Sequence, residues 1–332
     1  MKFIGIDIAK STFVTAYPLP TGGYRTKTYP NDPKGVALFM KSFSQEGHHC
    51  VLEATGNYGM LLLYMLCKAG IAVSQVNPKQ IKHFARMMMT VTKTDDVDAK
   101  LISLYGEKMC PPVYRFPAES LLILKQKKVI ARQLRKQLVA LSNLKESLQA
   151  LPIKDKASLK SLDKTLRFLK ARIEEIDADI ADVASSAFEQ QIASLTSVKG
   201  IGISLATSLV ISTGGFSQFE TSKQLARFVG IYPSYQQSGS SINIRGKISR
   251  NGDSNLRSLL YIASWSAIRY NETCKEAYER LKARGKPSKV ALVAVANKLL
   301  RQAFAICKSN SRYVDGYKST LNKNANSSCF LT

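Results

Sequence analysis

The sequence is poor in the residues that most often bind zinc or carry protons at neutral pH. Its 332 residues include only three histidines and six cysteines. The cysteines are scattered without a Cys-x-x-Cys pair, and no histidine stands in a recognisable motif. This distribution argues against a zinc site and against a dense disulfide framework, and it favours reduced, partly buried thiols. Histidine-based catalysis has equally little support.

Acidic residues are scarce relative to basic ones. The chain has 24 aspartates and glutamates against 48 lysines and arginines, a formal net charge of +24. Such an excess favours a polyanionic partner, because each neutralised phosphate releases condensed counterions. No apolar run approaches the roughly 18 residues that a bilayer requires, and Asp7 interrupts the N-terminus too early for a signal peptide. We therefore expect a nucleic acid, and no membrane, as the partner.

The first 112 residues follow an α/β pattern. Three β-rich stretches, at 2–8, 12–19 and 24–29, come first, and Asn31 or Asp32 then caps a helix that runs to about Gln45. Strands at 50–52 and 71–76 alternate with a helix at 58–69 and two later helices. Three strands followed by alternating helices and strands is the order of an RNase H-like domain, which we predict here.

Residues 113–186 predict a helical, coiled-coil arm. Apolar residues alternate at intervals of three and four, which is the a/d seam of a coiled coil; they are Leu159, Leu162, Leu166, Leu169, Ile173, Ile176, Ile180 and Val183. A less regular leucine series precedes Pro152. Two helices separated by a proline fit an antiparallel hairpin within one chain or a dimerisation arm, and the sequence leaves both open.

Residues 187–315 predict a mostly α-helical, basic domain, and residues 316–332, rich in Asn, Ser and Lys, a loosely ordered tail. Lys199, Gly200 and Gly202 match a helix-hairpin-helix turn, whose glycines bring backbone N–H groups close to a phosphate. An ordinary glycine-containing turn is the alternative. From Arg245 to Arg301, 13 lysines and arginines stand against four acids, which favours a nucleic-acid-binding face.

Four carboxylates are the best candidates for chemistry. Asp7 and Glu53 end strands that are neighbours in an RNase H-like sheet, and Asp95 and Asp98 share one face of a helix. Like charges held together favour a divalent cation, and carboxylate oxygens suit Mg²⁺ or Mn²⁺. Two such ions can activate one oxygen and stabilise the leaving one in phosphodiester displacement. A strand-end or helix-capping role is the alternative for any single acid, but the four together favour a metal site.

Eight short motifs run along nearly the whole chain. The N-terminal motifs are GIDIAK at 5–10, EATGNY at 53–58, VNP at 76–78 and KTDDVDAK at 93–100. The C-terminal motifs are VKGIG at 198–202, FVGIYP at 228–233, SGSS at 238–241 and RNGDSNLR at 250–257. In this order they resemble the IS110/IS1111 family of insertion-sequence transposases, to which the pilin-gene invertases are related. In the arm, only the architecture agrees.

The resemblance implies a RuvC-like DEDD catalytic domain over 1–112, the arm over 113–186 and a transposase domain over 187–315. The four acids would be catalytic metal ligands. Ser238 would be the nucleophile that attacks DNA and forms a transient 5′-phosphoserine link. The resemblance alone selects Ser238 over Ser240 and Ser241, because a flexible Ser/Gly-rich loop explains the same residues without chemistry.

The resemblance also implies the partners. A structured noncoding guide RNA would pair with double-stranded donor and target DNA, so that the protein reads backbone and shape. A homo-oligomer, from dimer to tetramer, and a cytoplasmic, nucleoid-associated location in a bacterium are expected. Beyond the helix-hairpin-helix turn, the predicted nucleic-acid contacts are Arg245, Lys247, Arg250 and Arg257, of which the first three could neutralise the phosphate during strand transfer.

Three other functions fit the residues. A RuvC-like junction endonuclease would use the four acids to activate water and would need no serine. A nucleic-acid scaffold without catalysis would use the basic domain and the arm. A pilin-type site-specific invertase would share the chemistry and differ in its DNA substrate.

Overall fold

The computed structural model describes residues 1–44, 46–90, 92, 94–233, 236–238, 242–244, 248–249 and 251–315, with the backbone alone at 236–238 and 242–244. Contacts divide the chain into two compact units, Met1–Pro117 and Ala118–Thr332. The first is a mixed α/β unit and the second is mostly helical, which confirms the predicted fold class at this level.

A five-stranded sheet in the order β3-β2-β1-β4-β5 forms the centre of the first unit. Its strands are β1 (Lys2–Ile8), β2 (Thr12–Pro18), β3 (Tyr24–Pro30), β4 (His48–Glu53) and β5 (Val73–Val76). The first three pair antiparallel, whereas β1–β4 and β4–β5 pair parallel. The carboxyl ends of β1, β4 and β5 therefore lie at one edge of the sheet.

Helices cover both faces of this sheet. They are α1 (Pro33–Met40), α2 (Met60–Lys68), α3 (Pro78–Met87) and α4 (Asp95–Met109), with a 3-10 turn at Gly56–Gly59. Buried residues of α1 and α2 pack against the even-numbered side chains of β1, and α3 and α4 pack on the opposite face. The helix predicted to reach Gln45 ends at Met40, where both the amide and the hydroxyl of Ser42 donate to the Phe39 carbonyl and turn the chain.

The predicted arm is an antiparallel hairpin within the chain. It consists of α5 (Glu119–Gln149) and α6 (Lys156–Ala187), which pack against each other. Ion pairs join Lys127 to Asp179 and Lys145 to Asp163, so the start of one helix lies beside the end of the other. Four members of the heptad series are buried, namely Leu166, Leu169, Ile173 and Ile180. The apolar seam therefore binds the neighbouring helix of the same chain.

Among the described residues, six further helices build the core of the second unit. They are α7 (Glu189–Thr196), α8 (Ile203–Thr213), α9 (Ser222–Val229), α10 (Ser254–Tyr270), α11 (Glu272–Ala283) and α12 (Ser288–Ser309). The expectation that no apolar run reaches bilayer length is wrong for α12, which by length and composition alone is able to cross a membrane. Its apolar residues pack in this core, with Leu299 and Leu300 fully buried.

Candidate active site

The ends of β1 and β4 bring Asp7 and Glu53 together. Ile6 pairs with Leu52 in the parallel register, so the next residue on each strand lies at the same level. Side chains alternate between the faces of a strand, and both Ile6 and Leu52 are buried on the side of α1 and α2. Asp7 and Glu53 therefore share the opposite face, on which α4 lies, and both are half-buried.

Gly5 allows α4 to approach that face closely. A β-carbon on Gly5 would lie 2.1 Å from the carbonyl oxygen of Ala99 and 2.3 Å from the amide nitrogen of Ser103. The Ser103 hydroxyl donates a buried hydrogen bond of 2.6 Å to the Phe3 carbonyl. Later on the helix, Gly106 lies over Phe3, so α4 runs opposite to β1 and its first turn lies towards Asp7.

The first turn of α4 carries the other two acids. Thr94 caps the helix, accepting a hydrogen bond of 3.3 Å from the Val97 amide. Asp98 is half-buried, while Asp95 and Asp96 are exposed. Carboxylates near a helix N-terminus interact favourably with the helix dipole, which offsets part of the repulsion among them.

Electrostatics tie the four acids into one cluster. Burial, followed by the negative charges of Asp98, Asp95 and Glu53, raises the pKa of Asp7 to about 6. Asp96 has no part in this shift. The charges of the other three sequence-predicted acids therefore all reach the Asp7 carboxylate at the carboxyl edge of the sheet.

The donor set suits a divalent cation. Carboxylate oxygens are the ligands that Mg²⁺, Mn²⁺ and Ca²⁺ prefer. Burial and then repulsion raise the pKa of Asp7, and a cation would relieve the repulsion. The hydroxyl oxygen of Thr55, two residues after Glu53, is also buried without a partner among the described residues. Among the described residues, however, no three His, Cys, Asp or Glu side chains lie close enough together to form a metal site as they stand. The residues fit a metal ion by chemistry, and binding would have to draw the side chains together.

The raised pKa of Asp7 predicts a pH-dependent stability. The folded state holds the proton more tightly than the unfolded chain, whose pKa is near 3.8, so this stabilisation is present below pH 4 and lost as pH rises through 6. Allowing for solvent screening of a half-buried group, Asp7→Asn should stabilise the metal-free first unit by about 1–2 kcal/mol at pH 7. Hydrogen exchange of β1 peptides in urea would measure it.

The difference between wild type and Asp7→Asn should shrink to nothing near pH 4. Added Mg²⁺ at pH 7 should stabilise the wild type more than the variant, because ligand binding to the folded state is a stabilising free energy. An equal pH dependence in the two proteins would contradict the acid cluster.

Asn31 supports the site, a role that is not evident from the sequence, where this residue is only a possible helix cap. Asp32, not Asn31, caps α1 through a hydrogen bond of 2.7 Å from the Gly35 amide. The Asn31 amide nitrogen instead donates to the carbonyls of Ala9 at 3.1 Å and Tyr58 at 3.0 Å. These carbonyls follow Asp7 and Glu53 on their loops, so one side chain fixes the spacing of both strand ends. Such a contact joins residues far apart in sequence, and no local pattern reveals it.

Ser238 lies on a short β-hairpin of the second unit. Strands β6 (Gln236–Ser238) and β7 (Ile242–Ile244) pair antiparallel, with Ser238 opposite Ile242. Pro233 and Ile248 form a bridge nearer the base. The other predicted residues of this region lie outside the described residues; they are Ser240, Ser241, Arg245, Lys247 and Arg250. In the first unit, Lys93 of the KTDDVDAK motif also lies outside them.

Two glycine turns meet at the base of this hairpin. A β-carbon on Gly252, whose φ is +141°, would lie 2.1 Å from the Phe228 carbonyl oxygen. The Asp253 amide donates to that same carbonyl at 3.1 Å. The Arg257 guanidinium donates to the Val229 carbonyl at 2.7 Å. The FVGIYP and RNGDSNLR motifs thus build the support of the hairpin, and Arg257, predicted as a nucleic-acid contact, also holds its backbone.

The three residues of the predicted helix-hairpin-helix turn lie in different environments. The Lys199 ammonium forms an ion pair of 2.7 Å with Asp315, and this hydrogen bond lowers the pKa of Asp315. Gly200, with φ of +103°, packs against α10, where a β-carbon would lie 2.8 Å from that of Ala267. Gly202 begins α8 and faces open space. Of the two glycines, Gly202 is the exposed one, and it stands at a helix N-terminus, where phosphates bind.

Comparisons with known proteins cover both units. Residues 4–152 match a family model of the DEDD type from IS110, described as a transposase. Residues 192–279 match the model of the transposase IS116/IS110/IS902 family. The four acids fall within the first match and Ser238 falls within the second.

Individual relatives agree with these models. The chain is 29% identical over 321 residues to the pilin gene-inverting proteins of Moraxella bovis and Moraxella lacunata, covering 93% of this chain and 96% of each relative. It is 32% identical over 162 residues to a "probable family 20 transposase" of Pseudomonas aeruginosa, covering 48% of this chain and 47% of that protein.

Proposed function

We propose that this chain, which belongs to the IS110 family of transposases, exchanges DNA strands by metal-assisted serine chemistry. Membership of that family makes it an enzyme whose substrate is DNA. The four acids of the first unit would be the metal ligands and Ser238 the nucleophile. The observation that carries this proposal is the placement of Asp7 and Glu53 at the ends of neighbouring strands, on the sheet face against which the helix that begins at Asp95 packs.

We assign the first unit to the RNase H-like, RuvC-like class. The strand order β3-β2-β1-β4-β5, with three antiparallel strands followed by two parallel ones, supports this assignment. So does the placement of the acids at the carboxyl ends of β1 and β4 and at the start of α4. We keep the four-part division at residues 112, 186 and 315 as a proposal about function. The hairpin of α5 and α6 would be the coiled-coil arm between the catalytic domain and the transposase domain.

The four acids come from two kinds of element. Asp7 and Glu53 present oxygens from rigid neighbouring strands, and Asp95 and Asp98 present oxygens from a helix held against β1 by the Gly5 contact. Mg²⁺ or Mn²⁺, when bound, would supply positive charge that stabilises a phosphorane and lowers the pKa of an attacking hydroxyl. Asn31 keeps the two strand-end loops at a fixed separation, so that the carboxylates do not drift apart under their own repulsion.

The serine chemistry balances without a further reactant. A bond forms between Ser238 Oγ and the phosphorus of one phosphodiester, the bond from phosphorus to the 3′ oxygen breaks, and the serine proton ends on the released 3′ hydroxyl. The 5′ end stays on the protein as a phosphoserine until a 3′ hydroxyl from the exchange partner attacks the same phosphorus and restores the serine. Arg245, Lys247 and Arg250 would neutralise the phosphate in both steps.

Ser238→Ala tests the nucleophile. The variant should form no covalent protein–DNA adduct and should lose strand exchange by about 10³-fold or more, since removing a catalytic nucleophile costs several orders of magnitude. Denaturing gels of labelled duplex DNA would show the adduct. Ser240→Ala and Ser241→Ala are the matched controls and should keep it. Metal-dependent cleavage by Ser238→Ala would instead indicate a water-using endonuclease.

We further propose that a structured RNA directs the reaction to donor and target DNA. The supporting observation is the net charge of +24, with 13 basic residues against four acids from Arg245 to Arg301. Such a surface binds phosphates without reading bases. A dimer or tetramer at the nucleoid would be the working form. Purification from cells that carry the gene with its flanking DNA, followed by RNA sequencing, would recover a single RNA species; RNase treatment should then abolish strand exchange.

Site-specific inversion is the second candidate. The observation that favours it is the match over 93% of this chain to proteins named for pilin gene inversion. Both activities would use the same residues, so the DNA beside the gene decides. An invertible segment would indicate inversion, whereas a mobile element with an RNA-coding flank would indicate transposition.

A further inference from the structure

We propose that the outward face of α3 binds the DNA backbone next to the four acids; this inference rests on the proposed function and adds a surface to it. The α3 basic face consists of Lys79, Lys82, His83 and Arg86. These residues stand at positions i, i+3, i+4 and i+7, which is a single stripe along a helix. All four are exposed.

Packing fixes the orientation of this stripe. Ile81 and Phe84 are each 5% exposed and face the sheet. The ring of Phe84 meets the ring of Tyr105 on α4 edge-on, at 5.3 Å between centroids. Asn77 caps the helix and forms a capping box with Gln80. Because the apolar side of α3 is anchored at both ends, the basic side has to face solvent.

The position of α3 ties this face to the acid cluster. β5 pairs with β4 so that Val76 lies opposite Glu53, and α3 begins at Pro78, two residues later. The helix then packs against α4, which begins with Asp95. The α3 basic face therefore begins at the same sheet edge at which the carboxylates lie.

Two members of this face, Lys82 and Arg86, differ from the basic residues of the α5–α6 hairpin. Basic residues of the α5–α6 hairpin pair with acids across it, as Lys127 does with Asp179 and Lys145 with Asp163. By contrast, α3 contains no acid. No described carboxylate lies within 4.0 Å of the side-chain nitrogens of Lys82 or Arg86.

A phosphate backbone is the partner that this arrangement fits. Four carboxylates repel an approaching phosphodiester, and positive charge at their border offsets that repulsion and raises the encounter rate. The stripe spans about 10 Å along the helix, or roughly three base-pair rises of DNA. Contacts of this kind hold a strand at a fixed register and carry no sequence preference.

The test uses the full-length protein with Lys82→Gln and Arg86→Gln combined. Affinity for a labelled duplex is measured by fluorescence anisotropy from about 50 mM to about 200 mM salt, where each phosphate contact contributes about 0.9 to the logarithmic slope. We expect the double variant to lose about two units of slope. Lys34→Gln with Lys41→Gln is the matched control and should keep the slope; these two exposed lysines lie at the start and just after the end of α1, on the opposite face of the sheet.

An unchanged slope in the α3 variant, or an equal loss in the α1 control, overturns the inference. So does a variant that loses affinity for structured RNA and keeps its affinity for the duplex. Failure of the proposed function is recognised separately, by a wild type that binds the duplex and never forms an adduct; a slope loss on α3 would still stand in that case. If the wild type exchanges strands and the α3 slope is unchanged, only the α3 surface is wrong.

Discussion

Asp7→Asn is expected to lower DNA strand cleavage by about 10³-fold or more, since metal-borne charge stabilisation is worth several kcal/mol and each 1.4 kcal/mol is tenfold in rate. Duplex affinity should stay the same or increase, because the substitution removes a negative charge beside the phosphate. Single-turnover cleavage of a labelled duplex over a Mn²⁺ or Mg²⁺ titration measures both effects.

Asp7 is the most informative of the four acids because the other three all act on its carboxylate. The charges of Asp98, Asp95 and Glu53 all act on its carboxylate and raise its pKa. Asparagine keeps the size and one oxygen but carries no charge, so the variant should fold at least as well as the wild type. A loss of cleavage in a protein of higher stability separates a role in chemistry from a role in folding.

Asp96→Asn is the matched control for this prediction. Asp96 is an exposed acid on the same first turn of α4, and it makes no contribution to the pKa of Asp7. The control should retain cleavage and its metal dependence. Equal losses in the two variants would mean that the whole turn, and not the cluster, matters; an active Asp7→Asn would remove the metal site from the proposal.

Local sequence patterns were sufficient to predict the positions of the acids. Strand ends at Asp7 and Glu53 and a helix that carries Asp95 and Asp98 follow from short-range periodicity, and the structure has these elements. That β1 and β4 are neighbours follows from the RNase H-like order of the elements. The prediction worked because each of these features depends on a few neighbouring residues.

Contacts between distant residues were not predictable in the same way. Asn31 reads as a helix cap, yet it joins Ala9 to Tyr58. Lys199 reads as a free phosphate ligand, yet it pairs with Asp315, 116 residues away. The apolar series on α6 predicted a partner helix, but its spacing alone could not tell whether that helix belongs to the same chain. Each of these outcomes depends on tertiary geometry that no local pattern contains.

Gly5→Ala is expected to destabilise the first unit by about 3 kcal/mol or more, at the upper end of the cost of overpacking a core. The added methyl group would lie 2.1 Å from the Ala99 carbonyl oxygen and 2.3 Å from the Ser103 amide nitrogen. Both are backbone atoms of α4, so no side-chain rotation relieves the contact and the helix has to move away from β1. Urea unfolding followed by hydrogen exchange of β1 and α4 peptides measures the loss.

Gly106→Ala provides a graded control on the same helix. Its added methyl group would meet the Val51 and Phe3 side chains at 2.8 Å and 2.9 Å, which can shift at a cost of about 1–2 kcal/mol. The only tryptophan, Trp265 on α10, reports the second unit by fluorescence and should show an unchanged transition in both variants. Equal stability of Gly5→Ala and wild type would contradict the close approach of α4 to β1.

Gly5→Ala is also expected to lower activity by more than its loss of folded protein explains. Displacing α4 moves Asp95 and Asp98 away from Asp7, and their charges should then raise the Asp7 pKa less. At low temperature, where the first unit of Gly5→Ala is still folded, cleavage should require a higher Mg²⁺ concentration than in Gly106→Ala at matched folded fraction. A metal requirement that follows only the folded fraction would show that Gly5 serves packing alone, and that the helix-borne acids tolerate a shift in position.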